Sequence, residues 1–83
     1  MAYELLYTRR AAKDIVKLDR VVQKRLKKAL EKFPNKPLHY AEKLIEPRLG
    51  SYRFRAGDYR IIFDIDGRRI IILHVGHRRE IYQ

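Results

Sequence analysis

Arginine is the residue type in this sequence that points most directly to a chemistry. Arg53 and Arg55 alternate with aromatic residues at a period of two, which predicts a β-strand with both guanidinium groups on one face. Arg60 falls on the next predicted strand, and Arg78 and Arg79 follow the last one. A guanidinium keeps its charge and donates two parallel hydrogen bonds to a phosphate. We therefore predict a phosphate-binding cluster; the alternative is a set of solvated surface charges.

Residues that could transfer a proton lie near this cluster in the sequence. His77 follows Gly76 at the end of the last predicted strand, and we expect it beside the arginines as the leading proton-transfer residue. Tyr82 offers a ring to stack on a base and a hydroxyl to donate, and Glu46 is a reserve base. His74 lies within a strand and is interpreted as a hydrogen-bonded structural histidine.

Lysine is concentrated in the first half of the chain, whereas every basic residue from Arg48 onward is arginine. The predicted second helix carries Lys24, Lys27 and Lys28. These lysines form either a solvated helix face or a diffuse contact with an RNA backbone.

Length and composition limit the class of protein. The 83 residues are enough for one domain, spanning 1–83, and 46% hydrophobic with 36% charged residues is a globular composition. Twenty basic against ten acidic residues give a net charge of +10, which predicts a negative partner: nucleic acid first, then an acidic protein or an anionic membrane.

Several site classes are not expected. Without cysteine there is no disulfide, thiolate nucleophile or zinc thiolate, and the histidines and acids have no metal-ligand spacing, so we expect no metal and no cofactor. The sequence has no signal-peptide pattern and no apolar run long enough to span a bilayer, which predicts a cytoplasmic protein.

The elements that must position these residues follow from periodicity. A short apolar strand precedes two amphipathic helices. The first is capped by Thr8 and ends near Leu18, and the second is capped by Asp19 and ends before Pro34. Residues 34–43 are predicted to be a connecting loop, after which three antiparallel strands form a meander through turns at Gly57 and Asp66-Gly67. The fold class is α+β, with the helical hairpin packed on one face of a sheet that the first strand joins.

Two motifs support a family resemblance. The runs GDYRIIF (57–63) and VGHRREIY (75–82), behind an opening strand and a basic helical hairpin, resemble the RelE/ParE superfamily of type II toxin–antitoxin toxins, in particular its RelE branch. The resemblance implies a fold related to microbial ribonucleases and a toxin that enters the A site of the 70S ribosome. It also implies cleavage of mRNA there and inhibition by a cognate acidic, RelB-like antitoxin.

Roles carried over from this resemblance complete the site prediction. The expected reaction is metal-free attack of a ribose 2′-OH on the adjacent phosphate. The family pattern has lysines where this chain has Arg53 and Arg55, and arginine cannot act as a general base, so the identity of the base stays open. The predicted catalytic residues are Arg55, Arg60, His77, Arg78 and Tyr82, and the predicted RNA-binding residues are Arg53, Arg79, Lys24, Lys27 and Lys28.

Two other functions remain as alternatives. A ParE-like toxin would inhibit DNA gyrase by protein contact, and a simple RNA-binding module would bind without cleaving. The arginine cluster favours an RNA substrate, since gyrase inhibition does not need convergent phosphate ligands.

Overall fold

A computed structural model describes residues 3–32, 41–43 and 52–81 of the chain. The elements, in order, are β1 (Glu4–Tyr7), α1 (Arg9–Val16), α2 (Arg20–Lys32), β2 (Ala41–Lys43), β3 (Tyr52–Ala56), β4 (Tyr59–Asp66) and β5 (Arg69–His77). The fold class is α+β, as the sequence predicts. Neither helix of the described residues has the length and apolar content needed to cross a bilayer.

The helices begin where their capping residues predict. The Thr8 hydroxyl accepts a hydrogen bond from the Ala11 N–H at 3.1 Å, and the Asp19 carboxylate accepts one from the Val22 N–H at 3.0 Å. Helix α1 ends at Val16, slightly before the predicted end near Leu18. The Gln23 side-chain amide donates to the carbonyls of Ile15 and Leu18, both at 2.9 Å, which satisfies backbone acceptors between the two helices.

Five strands form one sheet in the order β1-β5-β4-β3-β2. Strand β1 pairs with β5 in parallel, and the other neighbouring pairs are antiparallel. Strand β2 corrects the sequence prediction, which placed residues 34–43 in a loop; the remainder of that loop lies outside the described residues. Alanine, glutamate and lysine have low β-propensity, so Ala41–Lys43 is a strand because it pairs with β3 at the sheet edge.

Both hairpin turns use glycine at positive φ. Gly57 has a φ of 62° and Gly67 a φ of 60°, in the left-handed region that glycine adopts without a steric penalty. These are the two turns that the sequence predicts, and they reverse the chain between β3 and β4 and between β4 and β5.

The main core lies between the sheet and the helices. Its cross-strand row Phe54–Ile61–Val75 contacts the apolar sides of the helices, represented by Leu26 on α2 and Ala11 on α1. Burying one such leucine stabilises the fold by about 1.5–3 kcal/mol. We define this side of the sheet as the helix face.

One irregularity interrupts the ladder between β4 and β5. Phe63 is paired with Ile72 and Ile62 with His74, so Leu73 is an extra residue with no partner on β4. On a strand with such a bulge, every residue after the extra one points to the opposite sheet face from the one that a regular ladder would give it.

Candidate RNA-binding face

Three arginines lie on the sheet face opposite the helices. Arg55 is directly opposite Arg60, and Arg60 is opposite Gly76, in the row next to the core row that contacts the helices. Arg53 is two residues from Arg55 on the same strand and therefore shares its face. We call the surface formed by Arg53, Arg55 and Arg60 the arginine face.

The electrostatics of this face favour an anion. Directly opposite residues on antiparallel strands are about 4.5–5.5 Å apart at Cα, and like charges at that separation destabilise the pair. Arg55 and Arg60 occupy such a pair, and Arg53 lies diagonally across from Arg60. Asp64 and Asp66 of β4 share this face by strand alternation, with Asp64 four pairs from the Arg55–Arg60 pair, and Glu42 of β2 is in register with Arg53. A bound phosphate would offset the repulsion between the opposed guanidiniums.

The three side chains differ in how firmly they are held. The Arg60 Nη1 donates to the carbonyls of Gly57 and Tyr59, at 2.8 and 2.9 Å, so the β3–β4 turn fixes its guanidinium. Arg53 is half-buried, with its Nε shielded from solvent, whereas Arg55 is exposed. The face thus combines a fixed cation with an accessible one.

Arg78 is anchored to the same turn. Its backbone N–H donates to the Asp58 carbonyl at 2.7 Å, and its Nε lies 3.7 Å from the Asp58 carboxylate. The two side chains are 54% and 67% exposed, and an ion pair with that exposure contributes about 0–1 kcal/mol. The guanidinium of Arg78 can exchange this carboxylate for a phosphate at little cost.

His77 does not share the sheet face of Arg53, Arg55 and Arg60, although it directly precedes Arg78 in the chain, and this corrects its expected position. It is paired with Tyr59, whose ring packs against the main core, and the two rings meet edge to face at 5.4 Å. The residue therefore lies on the helix face, while Arg60 lies on the other side of the sheet. Its Nδ1 accepts a hydrogen bond from the Arg79 N–H at 3.2 Å, so in the neutral ring Nε2 carries the proton. The unpaired Leu73 shifts the register of β5 by one residue, which places His77 on the helix face.

His74 has the structural role that the sequence suggests. Its Nδ1 lies 2.6 Å from Asp14 Oδ2, which also accepts the Val75 N–H at 3.0 Å. Arg10 approaches the other ring nitrogen at 3.3 Å. Since arginine only donates, Nε2 is the acceptor and Nδ1 carries the proton, so both nitrogens are engaged within the protein.

The other predicted site residues are distributed differently. Lys24, Lys27 and Lys28 are exposed on α2, which packs on the helix face, so they do not adjoin the arginine face. Arg79 is exposed beside Arg78. Tyr82 and Glu46 lie outside the described residues. Within the part of the chain that the structure describes, no group of His, Asp or Glu side chains could hold a metal ion.

An apolar groove opens on the opposite side of the molecule from the arginine face. It encloses about 710 Å³ between β1, α1 and α2. Its lining residues are Leu5, Tyr7, Ala12, Ile15, Gln23, Leu26, Lys27, Leu30 and Glu31. Partial burial there raises the pKa of the Tyr7 phenol above its ordinary value.

Comparison with known proteins identifies the class. Residues 5–82 match the family model described as ParE toxin of type II toxin-antitoxin system, parDE, and the chain therefore belongs to this family. It is similar to toxin RelG of Mycobacterium tuberculosis, with 30% identity over 86 residues, 100% of this chain and 99% of RelG. It is also similar to toxin RelE3 of Methanocaldococcus jannaschii, with 31% identity over 83 residues, 95% of this chain and 94% of RelE3.

A solved structure shows the same fold. One chain of the toxin–antitoxin complex RelBE2 from Mycobacterium tuberculosis superposes with a TM-score of 0.84 at 27% identity, covering 94% of this chain and 100% of that chain. Together with RelG and RelE3, this similarity places the chain in the RelE branch of type II toxins. The resemblance identified from the two sequence motifs is confirmed.

Proposed function

We propose that this toxin is a ribosome-dependent endoribonuclease that cleaves mRNA in the A site and so inhibits translation. The observation that carries the proposal is the convergence of Arg53, Arg55 and Arg60 on one sheet face, with Arg78 anchored to the adjoining turn. Inhibition by protein contact alone would not require this concentration of guanidinium groups on a single surface.

The chemistry assigned to this face is electrostatic. When the 2′-OH attacks the adjacent phosphate, negative charge accumulates on the phosphorane oxygens, and preorganised cations stabilise that charge more than the ground state. Arg60 is preorganised by its two carbonyl contacts, and Arg55 is accessible to the substrate. The leaving 5′-oxygen takes a proton, so the products are a 2′,3′-cyclic phosphate and a 5′-OH.

We do not assign proton transfer to His77. His77 is in register with Tyr59, whereas Arg60 is in register with Gly76 on the other face, and this difference favours a proton-transfer residue other than His77. Tyr82 and Glu46 remain the proposed residues of this chain for holding the substrate and transferring the proton. Ribosomal RNA would orient the nucleophile, and orientation alone supplies a large share of the barrier reduction in such reactions.

Single-turnover cleavage on programmed ribosomes tests the proposal. Arg55→Ala should lower the cleavage rate by about 10²–10³-fold, the loss typical of removing one oxyanion ligand. Arg68→Ala is the matched control, because Arg68 is exposed at the β4–β5 turn, at the opposite end of the sheet from Gly57. Equal rates for the two variants would refute an arginine-face active site.

The proposed inhibitor is a RelB-like, acidic antitoxin. RelBE2 is a toxin–antitoxin complex, and the +10 charge of this chain favours an acidic partner. The apolar groove beside β1 provides a surface for its apolar side chains, with Lys27 at the rim. Both partners would meet in the cytoplasm, where the ribosome is.

Gyrase inhibition is the second candidate function, because the matching family model is that of the ParE toxin. Induction of the toxin separates the two. Ribonuclease activity predicts new message ends that depend on translation, whereas gyrase inhibition predicts DNA damage with intact messages.

A further inference from the structure

The last described residues of the chain curl back over the end of β5. The N–H groups of Glu80 and Ile81 both donate to the His77 carbonyl, at 2.9 and 3.0 Å. The Ile81 side chain is 2% exposed, yet it is not part of the core between the sheet and the helices. We call residues 77–81 the C-terminal turn.

Gly76 provides the space that Ile81 occupies. A Cβ at position 76 would lie 3.2 Å from Ile81 Cδ1, tighter than nine in ten real contacts of this kind, so the Ile81 side chain would have to shift by a few tenths of an ångström. Positive φ does not explain this glycine, since among the described residues only Gly57 and Gly67 adopt it. Because Gly76 is in register with Arg60, the missing side chain would point to the arginine face. Ile81 therefore covers the end of the Arg55–Arg60–Gly76 row.

Arg78 lies between two anchors. On one side its N–H donates to the Asp58 carbonyl at 2.7 Å, and on the other the chain is fixed three residues later by Ile81. Releasing Ile81 would leave the turn attached by exposed polar contacts, which hold a segment weakly.

We infer that Ile81, packed against Gly76, is a positioning residue that holds Arg78 beside the arginine face for RNA cleavage. This inference rests on the proposed function. A displacement of about 1 Å in a positioned catalytic group can cost about 10²-fold in rate.

A pair of substitutions at the contact tests the inference. Gly76→Ala adds the crowding Cβ and should lower kcat on programmed ribosomes about 10–100-fold with little change in KM. Ile81→Val removes Cδ1, the atom at 3.2 Å, and alone should change kcat by less than about threefold. The double variant should recover most of the loss, because the added methyl group then has room.

Trypsin supplies a readout that does not depend on RNA. Release of the C-terminal turn should speed cleavage of the native chain after Arg78 and Arg79, measured by mass spectrometry, in Gly76→Ala but not in the double variant. Ile72→Val is the control, since it removes the same methyl group from the main core, where Ile72 is 0% exposed. Its tryptic rate at Arg78 should match that of the wild type.

The outcomes separate the two claims. If the wild type cleaves mRNA and Gly76→Ala has the same kcat, the positioning role alone is overturned. It is also overturned if Gly76→Ala lowers kcat and the double variant does not restore it. A wild-type chain that leaves ribosome-bound mRNA intact overturns the proposed function, and the positioning role with it. Faster tryptic cleavage in Gly76→Ala together with recovered kcat in the double variant supports the inference.

Discussion

Replacing Asp14 with alanine should destabilise the fold more than its position on a short surface helix suggests. One carboxylate oxygen accepts from the His74 ring at 2.6 Å and from the Val75 N–H at 3.0 Å. Pairing of β1 with β5 ends at Tyr7–Ile72, and beyond that point no other strand of the described residues pairs with this edge of β5. The Asp14 carboxylate accepts the Val75 N–H that a neighbouring strand would otherwise bind, and this hydrogen bond links α1 to the sheet.

The magnitude follows from the burial of the two donors. The side chains of His74 and Asp14 are only 18% and 15% exposed, so water replaces the lost acceptor incompletely. Leaving a buried donor unsatisfied costs about 1–3 kcal/mol, and we expect about 2 kcal/mol for Asp14→Ala. In a domain of this size that corresponds to a decrease in Tm of about 8–16 °C. Asp14→Asn keeps an acceptor for Val75 and should lose about half as much.

Urea unfolding with matched variants is the assay. Asp19→Ala is the control, because Asp19 is an exposed N-cap whose loss costs about 1 kcal/mol. A double-mutant cycle with His74→Ala should give a coupling energy above about 0.5 kcal/mol. A cost for Asp14→Ala no larger than that for Asp19→Ala, or an effect that adds independently to that of His74→Ala, would refute the anchoring role of Asp14.

Two further predictions concern a tyrosine and a histidine. The raised pKa of Tyr7 means that its neutral form is favoured in the folded state, so its contribution to stability is complete below pH ~10 and is lost as the pH rises through the higher folded-state pKa. Phenolate absorbance of wild type minus Tyr7→Phe should titrate above the free tyrosine value, and a midpoint at or below that value would contradict the burial argument. His77→Ala should reduce single-turnover cleavage less than Arg55→Ala, because His77 lies on the helix face; an equal or larger loss would place the imidazole in the reaction.

Much of the fold is determined locally and could be predicted from the sequence. Thr8 and Asp19 cap their helices through contacts within three residues along the chain, and the two turn glycines reverse it at the expected positions. Part of the site follows in the same way. The alternation of Arg53 and Arg55 with aromatic residues places both guanidiniums on one face wherever the strand is located.

Other features depend on contacts between distant residues and were decided by the tertiary structure. Ala41–Lys43 is a strand because β3 supplies its hydrogen-bond partners, not because of its residue types. His74 has its role because Asp14, sixty residues earlier, meets it across the sheet edge.

The sequence by itself therefore determined the order of the elements other than β2, the caps and turns, and the arginines of β3, since each depends on neighbours a few residues away. The location of His77 depends on how β4 and β5 pair in the complete sheet. A regular ladder counted from the Asp66-Gly67 turn would place Val75 opposite Arg60, but the unpaired Leu73 moves Gly76 into that position. This one-residue shift turns His77 to the helices and leaves room for Ile81 over the arginine face. Only packing of the complete sheet selects the register, because both registers satisfy the same local preferences.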